Sequence, residues 1–245
     1  MRVHRLNCAS FRPLLPRVES ATLCILVHAG NELILVDTGL GRRDAAAPTV
    51  RMRLFRATLR SPLDVSETAY HQIARLGYRP EDVTHIVLTH LHLEHTGGLP
   101  DFPQAMVHVT RAEVEAAMNP RGIRRLFYAP EHWRHGPRWR IHDDAPSGDW
   151  FGFRAIEVAE IDATGILLIP LPGHSPGHVG VAVETPAGWL FHCGDALPFG
   201  GLESPAPDRI SGFACGPHIQ RLRRLADEER GRVEILSSHI PLQEH

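Results

Sequence analysis

The chain has 245 residues, 43% of them hydrophobic and 22% charged, and a net charge of −2 with neutral histidines. These values fit a soluble globular protein with a sizeable core. They exclude a global basic field of the kind that holds nucleic acid or an anionic membrane. All 26 basic residues are arginine, which removes Schiff-base and lysine general-base chemistry.

The first twenty residues lack the apolar region of a secretory signal, and no run is long enough to span a membrane. Cys8, Cys24, Cys193 and Cys215 form no C-x-x-C pair, so neither a zinc knuckle nor a thioredoxin-like site is indicated. The expectation is a cytoplasmic protein with reduced, mostly buried thiols.

Thr22 to Gly41 contains two β-rich runs around a Gly-Asn turn, which predicts a hairpin. Asp64 with Glu67 three residues later has the pattern of a capping box, and Ala69, Ile73, Ala74 and Leu76 continue with helical spacing. "THIVLTH" reads as a short strand ending in histidine, "QAMVHVT" as another strand, and "RAEVEAAM" as a short helix. From Asn119 to about Trp150 periodicity is lost among prolines, arginines and aromatics, which predicts a functional loop or lid. Strands resume at "FRAIEVAEI" and "GILLIPLP". "HVGVAVETPAGWLFHCGDAL" is a second hairpin, "HIQRLRRLADEE" an amphipathic helix, and "VEILSSH" a last strand. Each half runs hairpin, Asp-containing turn, helix, strand, histidine. The order implies a weak internal duplication in an α/β sandwich of two sheets with helices outside, as a single domain over residues 1–245.

Seventeen histidines are the strongest compositional signal, and histidine is the commonest metal ligand. In extended chain, residues two apart point the same way, so His90 and His92 can face one point. Glu94 and His95 follow at once. Four donors in six residues exceed what one zinc with an open position needs and suit two metals. Further candidates follow apolar strands: His174 in "LPGHSPGH", Asp195 in "HCGDAL" and His239 in "LSSHIP".

The ordered set "VDTG", "THLHLEHTGG", "LPGHSPGH", "HCGDAL" and "SSH" resembles the metallo-β-lactamase superfamily from about Thr22 to His239. The resemblance implies an αββα sandwich of two mixed sheets. It implies that His90, His92 and His174 bind a first metal, that Glu94, His95 and His239 bind a second, and that Asp195 bridges them. Asp37 of "VDTG" would orient a ligand histidine from behind. Glu94 stands where the family usually has aspartate. Its carboxylate either ligates from a longer arm or stands beside the second ion as a general base. His178 has a supporting or a structural reading. Cys193 reads as a buried thiol and "RLRR" as a solvated helix face. His4, His28, His85, His108, His142, His192, His218 and His245 read as isolated surface or core histidines.

Two divalent ions, Zn2+ with Fe or Mn as alternatives, lower the pKa of a shared water and polarise a carbonyl. The chemistry implied is hydrolysis of a small ester by a metal-bridging hydroxide, with Asp195, Glu94 and Asp37 as the catalytic carboxylates. The "VDTGLG" opening and the segment before the first long helix look most like the lactonase-type branch, so an acyl-homoserine-lactone-like substrate is expected. The compact span and the charge balance disfavour the nuclease and alkylsulfatase branches. Met52, Leu54, Phe55, Phe127, Tyr128, Trp133 and Trp139 are candidates for an apolar acyl pocket, with Tyr128 as a stand-in for the branch's ring-opening tyrosine. A glyoxalase II-like thioester hydrolase, an iron-centred redox protein and a non-catalytic metal-binding protein stay open. The partner is a small molecule rather than nucleic acid or membrane, with a homodimer possible.

Overall fold

The computed structural model describes residues 1–13, 19–143, 145, 147–197, 201–203 and 216–241. The first sheet runs in the order β1 (Arg2–Phe11), β2 (Ser20–Ala29), β3 (Glu32–Val36), β4 (Val83–Val87), β5 (Met106–Thr110), β6 (Arg138–His142). The second contains β7 (Gly148–Trp150), β8 (Phe153–Glu157), β9 (Ile166–Pro170), β10 (Val179–Thr185), β11 (Gly188–His192) and β12 (Val233–Leu236), neighbours in that order. A last strand, β13 (His239–Pro241), returns to the first sheet and pairs with Ser20–Thr22 of β2.

The chain reads as an αββα sandwich because β2 and β3 are apolar on both faces. Leu23, Ile25, Val27, Ile34 and Val36 point inward and meet Ile156, Leu168 and Val181 of the second sheet. Leu26, Leu35, Ile86 and Val107 point outward, under α5 (Arg111–Met118) and under α3 (Ala69–Arg75), which follows α1 (Arg42–Ala46) and α2 (Val50–Leu59) in the chain. On the other side Leu222 and Leu225 of α6 (Gly216–Glu228) cover Ile169 and Phe191. Each such aliphatic side chain contributes about 1.5–3 kcal/mol on burial.

The two halves share a topology. β2 and β3 form an antiparallel hairpin, and β4 then lies parallel to β3. Likewise β10 and β11 form a hairpin, and β12 lies parallel to β11 after α6. Asp37 follows β3 and Asp195 follows β11, while His90 and His239 each stand three residues beyond β4 and β12. The carboxyl ends of these strands gather the polar side chains, where α/β sheets bind ligands.

Several sequence expectations change. The Asp64 and Glu67 pair forms no capping box. Asp64 caps a single 3-10 turn, Val65–Glu67, while Glu67 leaves the helix and accepts the backbone N–H and the hydroxyl of Ser10. Ala69 and Ile73 are buried, but Ala74 and Leu76 are exposed. "THIVLTH" is strand only to Val87. "VEILSSH" is not one strand: β12 ends at Leu236, Ser237 and Ser238 cross over, and His239 opens β13 in the other sheet. The stretch from Asn119 to Trp150 is not a structureless lid, since it holds two 3-10 turns, Gly122–Leu126 and Pro130–His132, and then β6 and β7. Its aromatics are largely spent on packing, with Tyr128 and Trp133 buried in the core under the first sheet and Trp139 packed against it. Among the described residues no helix is long and apolar enough to cross a membrane. Cys8, Cys24 and Cys193 are buried; Cys215 and His245 lie outside the described residues.

Candidate metal centre

Beyond β4 the chain runs past His90 to His92, whose backbone is extended, and there turns into α4 (Leu93–Thr96), a single helical turn. The two imidazoles converge after the strand rather than within it, their ring centroids 4.5 Å apart. The loop after β9 brings His174 to them, with Nε2 2.9 Å from His92 Nδ1. One ligand atom from each of His90, His92 and His174 lies within 4.8 Å of the other two. A second group with the same spacing comprises Glu94, His95, Asp195 and His239.

Asp195 joins the groups. Its Oδ2 is 3.3 Å from His174 Nε2 and 3.2 Å from His239 Nε2, and its Oδ1 is 3.5 Å from His95 Nε2. All seven side chains are buried or nearly so. His90 Nε2, His95 Nε2 and Glu94 Oε2 are buried without a hydrogen-bond partner among the described residues. Unsatisfied buried polar atoms are costly and rare. Three of them in one cage of imidazoles and carboxylates fit divalent ions of the zinc class. The orphaned Glu94 Oε2 belongs to this set, so the longer side chain still delivers an oxygen to the second group.

The supporting residues fix which nitrogen faces inward. Asp37 adopts a left-handed φ of 55°, which turns its carboxylate back across the end of β4. Its Oδ1 accepts the backbone N–H of Thr89, and its Oδ2 accepts the Thr89 hydroxyl and His95 Nδ1–H at 2.9 Å. That leaves His95 Nε2 for the cage, the usual arrangement behind a ligand histidine. His178 donates from Nδ1 to the carbonyl of Leu171 and accepts the backbone N–H of Asp195 at Nε2. It thereby pins the turn that carries Asp195. Gly194 lies so close beneath it, at φ 58°, that a Cβ would come within 2.4 Å of His178 Nε2.

Sequence reasoning missed Glu113. This residue of α5 is fully buried, and its carboxylate accepts four donors: Leu91 N–H, the Ser175 hydroxyl, Gly177 N–H and the Tyr128 hydroxyl. It ties the His90–His92 segment to the His174 loop. Nothing in "RAEVEAAM" marks it, because a glutamate in a short amphipathic helix ordinarily faces solvent; the tight fit of Gly177, where a Cβ would lie 2.1 Å from the Glu113 nitrogen, is the cue only the fold reveals.

Electrostatics divide the cage. Burial, with neighbouring imidazoles, holds His90 and His92 well below the usual histidine value, and burial takes His174 down to about 4 against the pull of Asp195. These three are neutral lone-pair donors at pH 7. Burial opposes charge on His95 and His239 too, but Asp195, with Asp37 behind His95, outweighs it and raises both. Asp195 resists burial through His239, His95 and His174 and is held well below the usual carboxylate range. Burial raises Glu94.

The expected apolar acyl pocket is only partly present. Met52 is buried in a small cluster with Phe11 and Leu93, against which Phe55 packs, and Leu54 is exposed. Phe127 lies over His92 with centroids 5.2 Å apart. Tyr128 has its ring centroid 5.1 Å from that of His92, but its hydroxyl is committed to Glu113, which with burial raises its pKa. Beside Tyr128 opens a cavity of about 690 Å³ lined by Arg51, Arg121 and Arg125 as well as Asn119 and Pro130.

Comparison with known proteins adds independent findings. Residues 17–236 match the model of the metallo-beta-lactamase superfamily. A "probable metallo-hydrolase" of Mycobacterium tuberculosis is 44% identical over 201 residues, covering 80% of this chain and 63% of that protein. The chain thus spans less than two thirds of that relative's length. An N-acyl homoserine lactonase of Bacillus cereus is 28% identical over 193 residues, covering 74% of this chain and 70% of the relative. The solved structure of an N-acyl homoserine lactone hydrolase, with N-hexanoyl-L-homoserine bound at its catalytic metal centre, superposes with a TM-score of 0.69 at 22% identity, over 97% of this chain and 92% of that one.

Proposed function

The chain belongs to the metallo-β-lactamase superfamily, and on that premise we propose that it is a dinuclear metal-dependent hydrolase of small esters, with acyl lactones as the substrate class. The observation that carries the reading is the pair of donor groups sharing Asp195, with three orphaned donor atoms turned into them. His90, His92 and His174 would hold one ion and Glu94, His95 and His239 the other, with Asp195 within reach of both groups. Divalent ions bound there supply Lewis-acid polarisation of a carbonyl and acidify water.

The chain's own groups do the rest. Asp195, kept ionised by three imidazoles, accepts a hydrogen bond from the attacking water and orients it, and the proton that water gives up passes to the leaving oxygen as the acyl C–O bond breaks. Asp37 and His178 hold His95 and Asp195 in position. Phe127, packed on His92, shields that edge of the cage from water. Both sheets contribute donors to one cage, which supports reading residues 1–245 as a single domain. The buried thiols suit a reducing cytoplasm.

The lactone assignment draws on the Bacillus cereus relative and the lactone hydrolase structure. One observation favours a second reading. Arg51, Arg121 and Arg125 line the cavity beside Tyr128, and guanidinium groups suit a carboxylate-bearing thioester such as a glutathione conjugate. The test is a panel of acyl-homoserine lactones, aryl esters and glutathione thioesters, run on protein reconstituted with zinc or manganese. Lactone turnover abolished by Asp195→Asn supports the first reading. Thioester turnover whose KM rises on Arg121→Ala supports the second. No turnover above free metal with any class rejects both.

A further inference from the structure

Outside the cage, three histidines that look isolated in sequence form a row across the inter-sheet face of the first sheet. His85 on β4, His108 on β5 and His142 on β6 are turned away from the helices, since their neighbours Ile86, Val107 and Ile141 pack into the outer core. His85 pairs with Met106, two residues short of His108, and Arg140 pairs with His108, two short of His142. The three imidazoles are therefore diagonal neighbours, close enough to touch. His85 Nδ1 lies 2.9 Å from His108 Nε2, and His108 Nδ1 lies 3.0 Å from His142 Nε2. All three are buried.

The second sheet supplies a carboxylate. Glu160, in the connection from β8 to β9, stands so that one ligand atom from each of His108, His142 and Glu160 lies within 4.8 Å of the others. Its Oε1 is taken by the Nε–H of Arg140. Its Oε2 is buried and has no hydrogen-bond partner among the described residues. A buried oxygen of this kind, beside two imidazole nitrogens, calls for a cation.

We propose that His108, His142 and Glu160 bind a further divalent ion of the zinc class, apart from the cage, which fastens β5 and β6 of one sheet to the β8–β9 connection of the other. Two imidazoles and a carboxylate are a zinc donor set, with the fourth position left to water. His85 stands behind His108 as ligand histidines require: His108 Nε2–H donates to His85 Nδ1, and His85 Nε2 faces Glu32 Oε1 at 3.7 Å.

The test counts zinc per chain, by elemental mass spectrometry after equilibration with zinc and desalting, in the wild type and in Glu160→Gln/His142→Gln. The expected result is one ion fewer in the variant, with ester hydrolysis unchanged. Equal counts mean a hydrogen-bonded histidine row without an ion and overturn the proposal. If the double variant does not fold, Glu160→Gln alone is titrated with Co2+: saturation one equivalent below wild type supports the site, and equal saturation rejects it. Only the difference between proteins is read, so the result is independent of how many ions the cage holds. Failure of the cage reading shows separately, as an undiminished zinc count in Asp195→Asn.

Discussion

Asp37 Oδ2 lies 2.9 Å from His95 Nδ1, with both side chains at zero exposure. The same carboxylate also receives both donors of Thr89. Asp37→Asn therefore turns an amide N–H₂ toward at least one of those donors, at a cost of about 1–3 kcal/mol for a buried polar group left unpaired. The expected outcome is a lower Tm and a 10- to 100-fold weaker second metal site, roughly the range for residues that back a metal ligand. Competition with a zinc chelator measures it. Wild-type affinity in a folded variant would mean that Asp37 matters only to the turn.

Glu94 offers a sharper division. As a ligand, its replacement by glutamine removes the anionic oxygen from the second group, and zinc content drops by one per chain. Glu94→Asp retracts the carboxylate by one methylene and weakens that ion without abolishing it. Should Glu94→Gln keep its full zinc complement while kcat collapses, the general-base role takes the place of ligation.

Glu113 accepts four donors from three segments. Glu113→Ala strands the Leu91 and Gly177 N–H groups and loosens both histidine loops at once. A fall in kcat larger than the rise in KM is expected, together with weaker binding of the His90, His92 and His174 ion. Glu113→Gln, which keeps the volume and one acceptor, recovers part of the loss. A variant that merely melts earlier, with kcat and zinc affinity intact, reduces Glu113 to a packing residue.

Acid should destabilise the metal-free protein. His108 and His178 are held down to about 3 in the fold, in both cases chiefly by burial, whereas unfolded histidine titrates near about 6.5. Below that value the unfolded chain binds protons that the folded chain refuses. The stability these groups contribute is thus present above about pH 6.5 and is lost as pH falls toward 3, at up to about 1.4 kcal/mol per pH unit for each group. His95 and His239, raised in the fold, act in the opposite sense: their contribution is present below about pH 6.5 and lost as pH rises through their folded values. Urea midpoints of chelator-treated protein at pH 7, 6 and 5 decide between the two. A progressive fall is expected, and a flat or rising series would contradict it.

Much of this molecule could be read from its residues. The hairpins, the α5 and α6 helices and the clustering of donors in "THLHLEH" follow from patterns local to a few residues. What escaped reading depends on distance along the chain. Glu67 has the spacing of a cap but finds Ser10 of β1, a partner no local pattern reveals. "VEILSSH" has no internal sign that its last residue changes sheets. His85, His108 and His142 lie on three strands separated by more than twenty residues each, so only the parallel register brings them together. Tyr128 and Trp133 read equally as pocket or core aromatics, and only the fold assigns them to the core, because burial depends on what the sheet leaves to be covered.

The spacing of the cage has one more consequence. His90, His92, Glu94 and His95 lie within six residues, while His174, Asp195 and His239 arrive much later in the chain. An unfolded or emerging polypeptide therefore already carries a four-donor chelating peptide. A metal that binds the unfolded chain stabilises the fold by less than its native affinity implies. Metal bound by this peptide is therefore expected on the unfolded chain as well as in the fold. Heating the metal-loaded protein should release its zinc in two stages, some at unfolding and the remainder only on addition of a competing chelator.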